Sequence, residues 1–159
     1  MPYTADAEYA LSTALQSYSN GEQVLPQRML QQESQVNFCK LSPDRSILAV
    51  VDKFGNMQVY NPLTGEVLYS IEMTGYATYL AEEAICFIGN TEIAYPMESG
   101  FCIYNFETKE VKEYPSDDDI TALLSDKEGK YLATEEYGCF TVYDSVSMNP
   151  IYSLDEEEA

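Results

Sequence analysis

Residues 57–72, with the sequence MQVYNPLTGEVLYSIE, contain two runs of alternating apolar and polar residues on either side of a turn-forming segment at 61–65. Alternation with a period of two predicts β-strands with one apolar face each, and the Pro and Gly of the segment predict the turn between them. An isolated hairpin cannot bury its apolar face stably. The pattern therefore predicts that copies of the same unit cover this hairpin.

The N-terminal segment, residues 1–21, has a different period. An α-helix is predicted over residues 4–19, because Thr4 can cap its start and Asn20-Gly21 can end it. The residues of its apolar face are Ala7, Ala10, Leu11, Ala14, Leu15 and Tyr18. After Gly21 the pattern changes to short strands and turns.

Three segments repeat one layout, in which an apolar triplet is followed, after a Gly turn, by an aliphatic residue, a Tyr and an Asn or Asp. These second triplets contain Tyr60, Tyr104 and Tyr143, which are 44 and 39 residues apart. A period of about 40 to 45 residues with strand-only content is typical of β-propeller blades. The predicted fold class is all-β, a β-propeller fragment of about three four-stranded antiparallel blades preceded by one short α-helix.

The predicted boundaries place the outer strand of a neighbouring blade at 22–35, the first blade at 36–75, the second at 76–115 and the third at 116–159. Propellers typically close with about four to eight blades, so three would form an open arc with apolar faces exposed at both ends. We therefore expect a piece of a longer protein, or a homo-oligomer or other association through the open blade edges.

The first repeat resembles a WD-repeat blade. Residues 41–68, LSPDRSILAVVDKFGNMQVYNPLTGEVL, share with that family a Ser-Pro-Asp turn, a Leu-Ala strand, an Asp-x-x-Gly turn and a Thr-Gly-Glu turn. The matching residues are Ser42, Pro43, Asp44, Leu48, Ala49, Asp52, Gly55, Val59, Thr64, Gly65 and Glu66. Tyr replaces the Trp of the family in all three repeats, and the chain has no His for the family's His-containing hydrogen-bond network. The resemblance extends over about residues 36–154.

The opening helix followed by a propeller is similar to the junction before the C-terminal sensor propeller of bacterial STAND-type and TIR-type signalling proteins. The residues that carry this similarity are Ala7, Ala10, Leu11, Ala14 and Leu15. The resemblance implies a protein-interaction or ligand-sensing module of a larger bacterial signalling protein. A cytoplasmic location is expected from the four cysteines, which we interpret as free thiols in a reducing compartment.

The excess of acidic residues limits the kinds of partner that this chain can bind. Lys and Arg number 8 against 27 Asp and Glu, for a formal net charge of −19, so nucleic acid and anionic membranes would be repelled. The expected partner is a protein, and the negative charge of this chain suits a basic one.

The four cysteines lie inside predicted strands without a C-x-x-C pair, so we expect buried free thiols. They are Cys39, Cys86, Cys102 and Cys139.

No residue pattern predicts catalysis. Without His a Ser-His-Asp arrangement is impossible, the glycines form no phosphate-binding loop, and no metal-ligand spacing occurs, so we expect no enzyme, cofactor or metal site. Residues 125–129 read as a turn rather than a calcium loop, and the acidic runs 117–119 and 155–158 as solvated charge. The alternative is a hydrolase or lactonase-like propeller using carboxylates and calcium; a structural spacer is a third hypothesis.

The predicted binding surface is the end of the propeller where the loops between the second and third strands of each blade meet the connections between blades. These loops carry acidic and aromatic side chains, which suits a basic protein partner. The candidate residues are Phe54, Tyr76, Tyr79, Glu98, Asp117, Asp118, Asp119, Glu135, Glu136 and Tyr137. The recurring Tyr60, Tyr104 and Tyr143 are expected to pack between blades, with each hydroxyl reaching a polar partner.

Overall fold

Three four-stranded antiparallel sheets follow one another along the chain, each built from four consecutive strands. The first sheet contains β1 (Val36–Leu41), β2 (Leu48–Asp52), β3 (Asn56–Tyr60) and β4 (Val67–Glu72). The second contains β5 (Cys86–Ile88), β6 (Glu92–Met97), β7 (Gly100–Asn105) and β8 (Val111–Pro115). The third contains β9 (Ala122–Ser125), β10 (Tyr131–Glu136), β11 (Cys139–Asp144) and β12 (Pro150–Leu154).

This computed structural model describes residues 30, 32–73, 82–117 and 119–154. All three sheets belong to one compact unit, which begins at residue 32. The predicted fold class, a propeller fragment of three four-stranded blades, is confirmed. The predicted helix at 4–19, residues 22–29 and 31 of the predicted outer strand at 22–35, and the acidic run 155–158 lie outside the described residues, and the described residues between 30 and 35 form no strand.

The first two sheets share one hydrophobic core. Alternate residues of the first sheet, among them Ala49, Met57 and Val59, are fully buried against residues of the second sheet such as Ile93 and Tyr95. Period-two alternation explains this arrangement, because it places one side chain in two on the covered face.

The second sheet is buried on both faces. The other face of β6 and β7 contributes Ala94 and Ile103 to a second core, which contains Leu123 and Leu132 of the third sheet. Burial on both sides explains why β5, β6 and β7 read as nearly continuous apolar runs, whereas the exposed outer strand β8 does not.

The third sheet leaves its far face open. Leu124, Ala133, Val142 and Tyr152 are paired across this sheet in one row. Leu124 is 47% exposed and Tyr152 is 57% exposed. The exposed apolar residues of the third sheet agree with the expectation that an open arc leaves its terminal faces uncovered. The first sheet differs, because Val50, which pairs with Cys39 on the face away from the second sheet, is buried.

The recurring Asn or Asp of the triplets caps the turn that follows the third strand of each sheet. The side-chain oxygen of Asn61 accepts hydrogen bonds from the backbone N–H groups of Leu63 and Thr64 at 2.9 and 3.1 Å. Asn105 accepts equivalent bonds in the second sheet, and Asp144 accepts from Ser147 in the third. Such side-chain turns explain why only Asn or Asp occurs at this position.

The turns between the first and second strands of neighbouring sheets meet at one end of the arc. The backbone N–H of Asp44 donates to the side-chain oxygen of Asn90 at 3.0 Å, which joins the first sheet to the second. Between the second and third sheets, a Cβ added to Gly129 would lie 2.2 Å from the backbone nitrogen of Gly89. These contacts put the turns between the second and third strands of all three sheets at the opposite end.

Candidate functional site

That opposite end, here called the acidic end, consists of the β2–β3, β6–β7 and β10–β11 turns and the connection at 116–121. The connection is fastened to both neighbouring turns. The N–H of Ser116 donates to the carbonyl of Ser99 at 3.2 Å, and the N–H of Thr121 donates to the carbonyl of Glu135 at 2.8 Å. The second and third sheets are thereby joined at this end.

Four predicted surface residues come together at this junction. The Tyr137 hydroxyl donates to a carboxylate oxygen of Asp119 at 3.3 Å. The carboxylate of Glu136 accepts from the Ser116 hydroxyl at 2.8 Å, and that of Glu135 accepts from the N–H of Gly138 at 2.7 Å. The tertiary structure therefore places acids from the connection and from the β10–β11 turn side by side.

The other predicted surface residues divide into two groups. Glu98 and Asp117 are exposed at the same end, and Phe54 projects from the β2–β3 turn with 59% of its surface exposed. The Lys53 ammonium lies 4.9 Å from the centre of the Phe54 ring, a cation–π distance. Tyr76, Tyr79 and Asp118 lie outside the described residues.

The fold separates the basic residues from this end. Lys53 is the one basic residue at the acidic end within the described part of the chain. The turns of the opposite end carry Arg45, Lys109, Lys127 and Lys130. Clustered charge of one sign steers an oppositely charged partner by long-range attraction.

Asp52 organises the β2–β3 turn. Its carboxylate accepts hydrogen bonds from the N–H of Phe54 at 2.8 Å, the N–H of Asn56 at 2.9 Å and the Asn56 side-chain amide at 2.8 Å. The Ser34 hydroxyl donates a further, short bond. Burial raises the pKa of Asp52, but the bonds from Asn56, Ser34 and Phe54 lower it more, so the pKa lies below the usual value.

Of the three recurring tyrosines, Tyr104 packs between the first and second sheets, as predicted. Its ring stacks on that of Tyr69 from the first sheet, with 3.8 Å between ring centroids. The Tyr60 hydroxyl receives a hydrogen bond from the Gln32 side chain at 2.7 Å and donates to that of Gln58. Tyr143 is half-buried and lines a cleft described below.

The expectation of four buried thiols is only half right. All four cysteines are free, and Cys86 and Cys102 are buried, but Cys39 is exposed and Cys139 is half-buried. The reason for Cys39 is its place on β1, an edge strand that pairs only with β2, whereas its partner Val50 on the interior strand β2 is buried. Burial raises the pKa of the Cys86 thiol to about 12.

The described residues contain no group of three or more Cys, Asp, Glu or His side chains placed to hold a metal ion. Within the same residues, no helix is both long and apolar enough to cross a membrane.

Sequence reasoning missed the Phe101–Tyr114 pair, whose rings stack with centroids 5.1 Å apart across β7 and β8. It also missed Met148, which lines the same cleft as these two rings. The signal available in the sequence was only that Phe and Tyr occur on neighbouring strands, and pairing register decides whether such rings meet.

No protein-family profile matches the chain, and no curated protein matches it in sequence. Solved structures do match its fold. The C-terminal WD40 domain of Sif2 is 14% identical with a TM-score of 0.60, covering 76% of this chain and 34% of that one. The structure of U3-55K is 12% identical with a TM-score of 0.58, covering 80% and 42%.

A third match is KlHsv2 with loop 6CD replaced by a Gly-Ser linker, which is 15% identical with a TM-score of 0.53 and covers 77% of this chain and 40% of that one. The chain thus spans well under half the length of each of these structures. Its fold is that of a WD-repeat-like β-propeller fragment.

Proposed function

We propose that this chain is a non-catalytic protein-interaction module that binds a basic segment of a partner protein at its acidic end. The observation that carries the proposal is the separation of charge, which leaves Lys53 as the sole basic residue there within the described residues. Tyr137 and Phe54 are both exposed at the same end and supply aromatic surface. The proposed surface consists of Phe54, Tyr76, Tyr79, Glu98, Asp117, Asp118, Asp119, Glu135, Glu136 and Tyr137.

Binding of a hexa-arginine peptide tests this proposal. A chain of charge −19 attracts such a peptide over its whole surface, so only variants with equal net charge can reveal whether the peptide binds one end preferentially. The acidic-end variant replaces Glu98, Asp117 and Asp119 by Gln, Asn and Asn. The control replaces the exposed Glu66, Glu107 and Glu110 at the opposite end by Gln, which changes the net charge equally.

We expect the acidic-end variant to bind the peptide at least about fivefold more weakly than the control in a fluorescence polarisation titration, since local charge pairs act within about one Debye length, ~8 Å at physiological salt. Equal affinities for the two variants would contradict the proposal.

A thermal-shift titration with calcium distinguishes the interaction module from the alternative, a calcium-dependent hydrolase. Binding of calcium to the native state would raise the unfolding temperature, and EDTA would reverse the change. The interaction module is expected to show no such response.

Association through the open face of the third sheet is the second part of the proposal. Ala49 and Ala94 are fully buried by the next sheet, whereas the corresponding Ala133 is only half-buried. Val142 likewise corresponds to the buried Val59 and Ile103. Equivalent positions thus carry similar apolar residues, which supports coverage of this face by a further sheet, either in a parent protein or in a second copy.

Sedimentation equilibrium tests whether a second copy of this chain covers the open face of the third sheet. Val142→Glu should abolish any concentration-dependent association, while Val146→Glu, in an exposed turn, should not. Membership of a bacterial STAND-type or TIR-type signalling protein stays a prediction, since the helix that suggested it lies outside the described residues. A cytoplasmic location, expected from the free thiols, stays a prediction as well.

A further inference from the structure

A cleft of about 270 Å³ lies between the second and third sheets, on the side of their outer strands. One wall comes from the second sheet and carries Phe101 and Tyr114. The other wall comes from the third sheet and carries Glu136, Tyr143 and Met148. The cleft thus reaches the acidic end through Glu136 and continues along β11.

The aromatic walls suit a cation. Phe101 and Tyr114 both line the cleft, and their rings stack with 16° between their planes. Tyr143 adds a third ring from the facing sheet. A cationic side chain near such rings is attracted by their quadrupoles, and the attraction is larger where water is displaced.

One end of the cleft carries an uncompensated negative charge. The Glu136 carboxylate accepts from the Ser116 hydroxyl at 2.8 Å and from the Thr134 hydroxyl at 3.4 Å. Both donors are neutral, and in the described part of the chain no Lys or Arg pairs with this carboxylate. The donors hold the group in place without cancelling its charge, which leaves it able to bind a cation.

The other end is apolar. Met148 and the ring of Tyr143 line it, so the cleft combines an apolar stem region with a carboxylate at one end. Lys and Arg have the matching shape, since both bury an aliphatic stem along apolar surface and keep a charged head group.

We propose that this cleft receives a Lys or Arg side chain of the partner protein, with the charged head at Glu136 and the stem between the aromatic walls. This inference rests on the proposed function and identifies the anchor of that interaction. Interfaces commonly depend on a few such anchors seated in pockets.

A second cavity provides an internal comparison. It has a volume of about 420 Å³, lies on the other side of the Phe101–Tyr114 pair, and contains Met97 and Glu113. It is bordered by Glu98 but lacks the facing ring of Tyr143. If negative charge alone attracted cations, this cavity would respond to them as well as the cleft does.

Methionine methyl groups can report on both sites. With ε-¹³C-methionine labelling, Met148 reports on the cleft, Met97 on the second cavity, and the fully buried Met57 on the integrity of the core. The probes are N-acetyl-arginine amide and N-acetyl-lysine amide, with N-acetyl-citrulline amide as the neutral control.

We expect at least one cationic probe to shift the Met148 resonance to saturation, with Met57 unchanged. Citrulline should bind about tenfold more weakly, because it loses a charge-assisted hydrogen bond. Glu136→Gln should cause a similar loss, and Glu107→Gln, the same change at the opposite end, should cause none.

The inference is overturned if Met148 does not move, if citrulline acts as strongly as the cations, or if Met97 responds instead. Should the hexa-arginine peptide still prefer the acidic end in that case, the cleft assignment alone has failed. If that preference is also missing, the proposed function fails with it.

Discussion

Replacing Asp52 by Ala should destabilise the chain substantially, because this one carboxylate holds the β2–β3 turn. It accepts bonds from two backbone N–H groups, from the Asn56 amide and from the Ser34 hydroxyl, while only 9% of the residue is exposed. The change removes both carboxylate oxygens at once and leaves these donors without their protein partner.

The magnitude follows from these bonds. A hydrogen bond to a charged group contributes about 1.5–3 kcal/mol and a buried donor left unpaired costs about 1–3 kcal/mol, but these terms are not additive. Water can reach the edge of the turn, so we expect Asp52→Ala to cost about 3 kcal/mol in the free energy of unfolding. Asp52→Asn keeps one carbonyl oxygen for the two backbone donors and should cost about 1–2 kcal/mol.

Urea unfolding followed by far-UV circular dichroism and tyrosine fluorescence measures these costs, and tyrosine is the available fluorophore because the chain has 14 Tyr and no Trp. The matched control is Asp117→Ala, an exposed position at the same end, which should stay within about 0.5 kcal/mol of the parent. A cost below about 1 kcal/mol for Asp52→Ala, with the β-sheet spectrum intact, would refute the reasoning.

The pH dependence provides an independent check. The pKa of Asp52 is lower in the folded state than its usual value, so its contribution is present above the unfolded pKa of about 3.9 and is lost as pH falls through the folded pKa. The stability difference between the parent and Asp52→Asn should therefore shrink on acidification below about pH 4. A difference that grows over this range would contradict the assignment.

Three further changes test other parts of the fold, all by the same unfolding measurement. Gly129→Ala should cost at least about 2 kcal/mol in the free energy of unfolding, since φ is +70° and the added Cβ would lie 2.2 Å from the Gly89 nitrogen. The control Gly65→Ala, at φ 76° without such a contact, should cost about 1 kcal/mol. Equal costs for the two variants would exclude the clash. Arg45→Gly should stabilise by up to about 1 kcal/mol because Arg45 has a φ of 64°, and destabilisation would contradict this explanation. Between about pH 9 and 12 the unfolded Cys86 thiol ionises while burial keeps the folded one protonated, so stability should fall as pH rises, by up to about 1.4 kcal/mol per unit, and Cys86→Ala should remove that part of the slope.

The sequence alone was sufficient for the strands and their grouping. Period-two alternation located β3 and β4, and the turn residues Asn61 and Gly65 marked the connection between them. These features are local, because side-chain alternation and turn geometry depend on neighbouring residues only. The 40-residue spacing of the triplets then identified three equivalent sheets, which the structure contains.

The candidate site was predictable in part. The loops at 98, 117–119 and 135–137 follow from the strand order, since consecutive antiparallel strands place alternate turns at the same end. The strand order did not predict which residues contact these loops. The bond from Ser116 to Glu136, for example, joins residues of two different sheets, and local sequence carries no information about such a contact.

Packing between sheets decided the rest. The eight basic residues are scattered along the sequence, and among the described residues the stacking of the three sheets leaves Lys53 as the one basic residue at the acidic end. The same stacking brings Gly129 against Gly89 and places Tyr143 in one cleft with the Phe101–Tyr114 pair. Sequence by itself determined which residues form strands and turns, because those preferences are local, whereas only the tertiary structure decided which side chains from different sheets meet, because their distance depends on how the sheets pack.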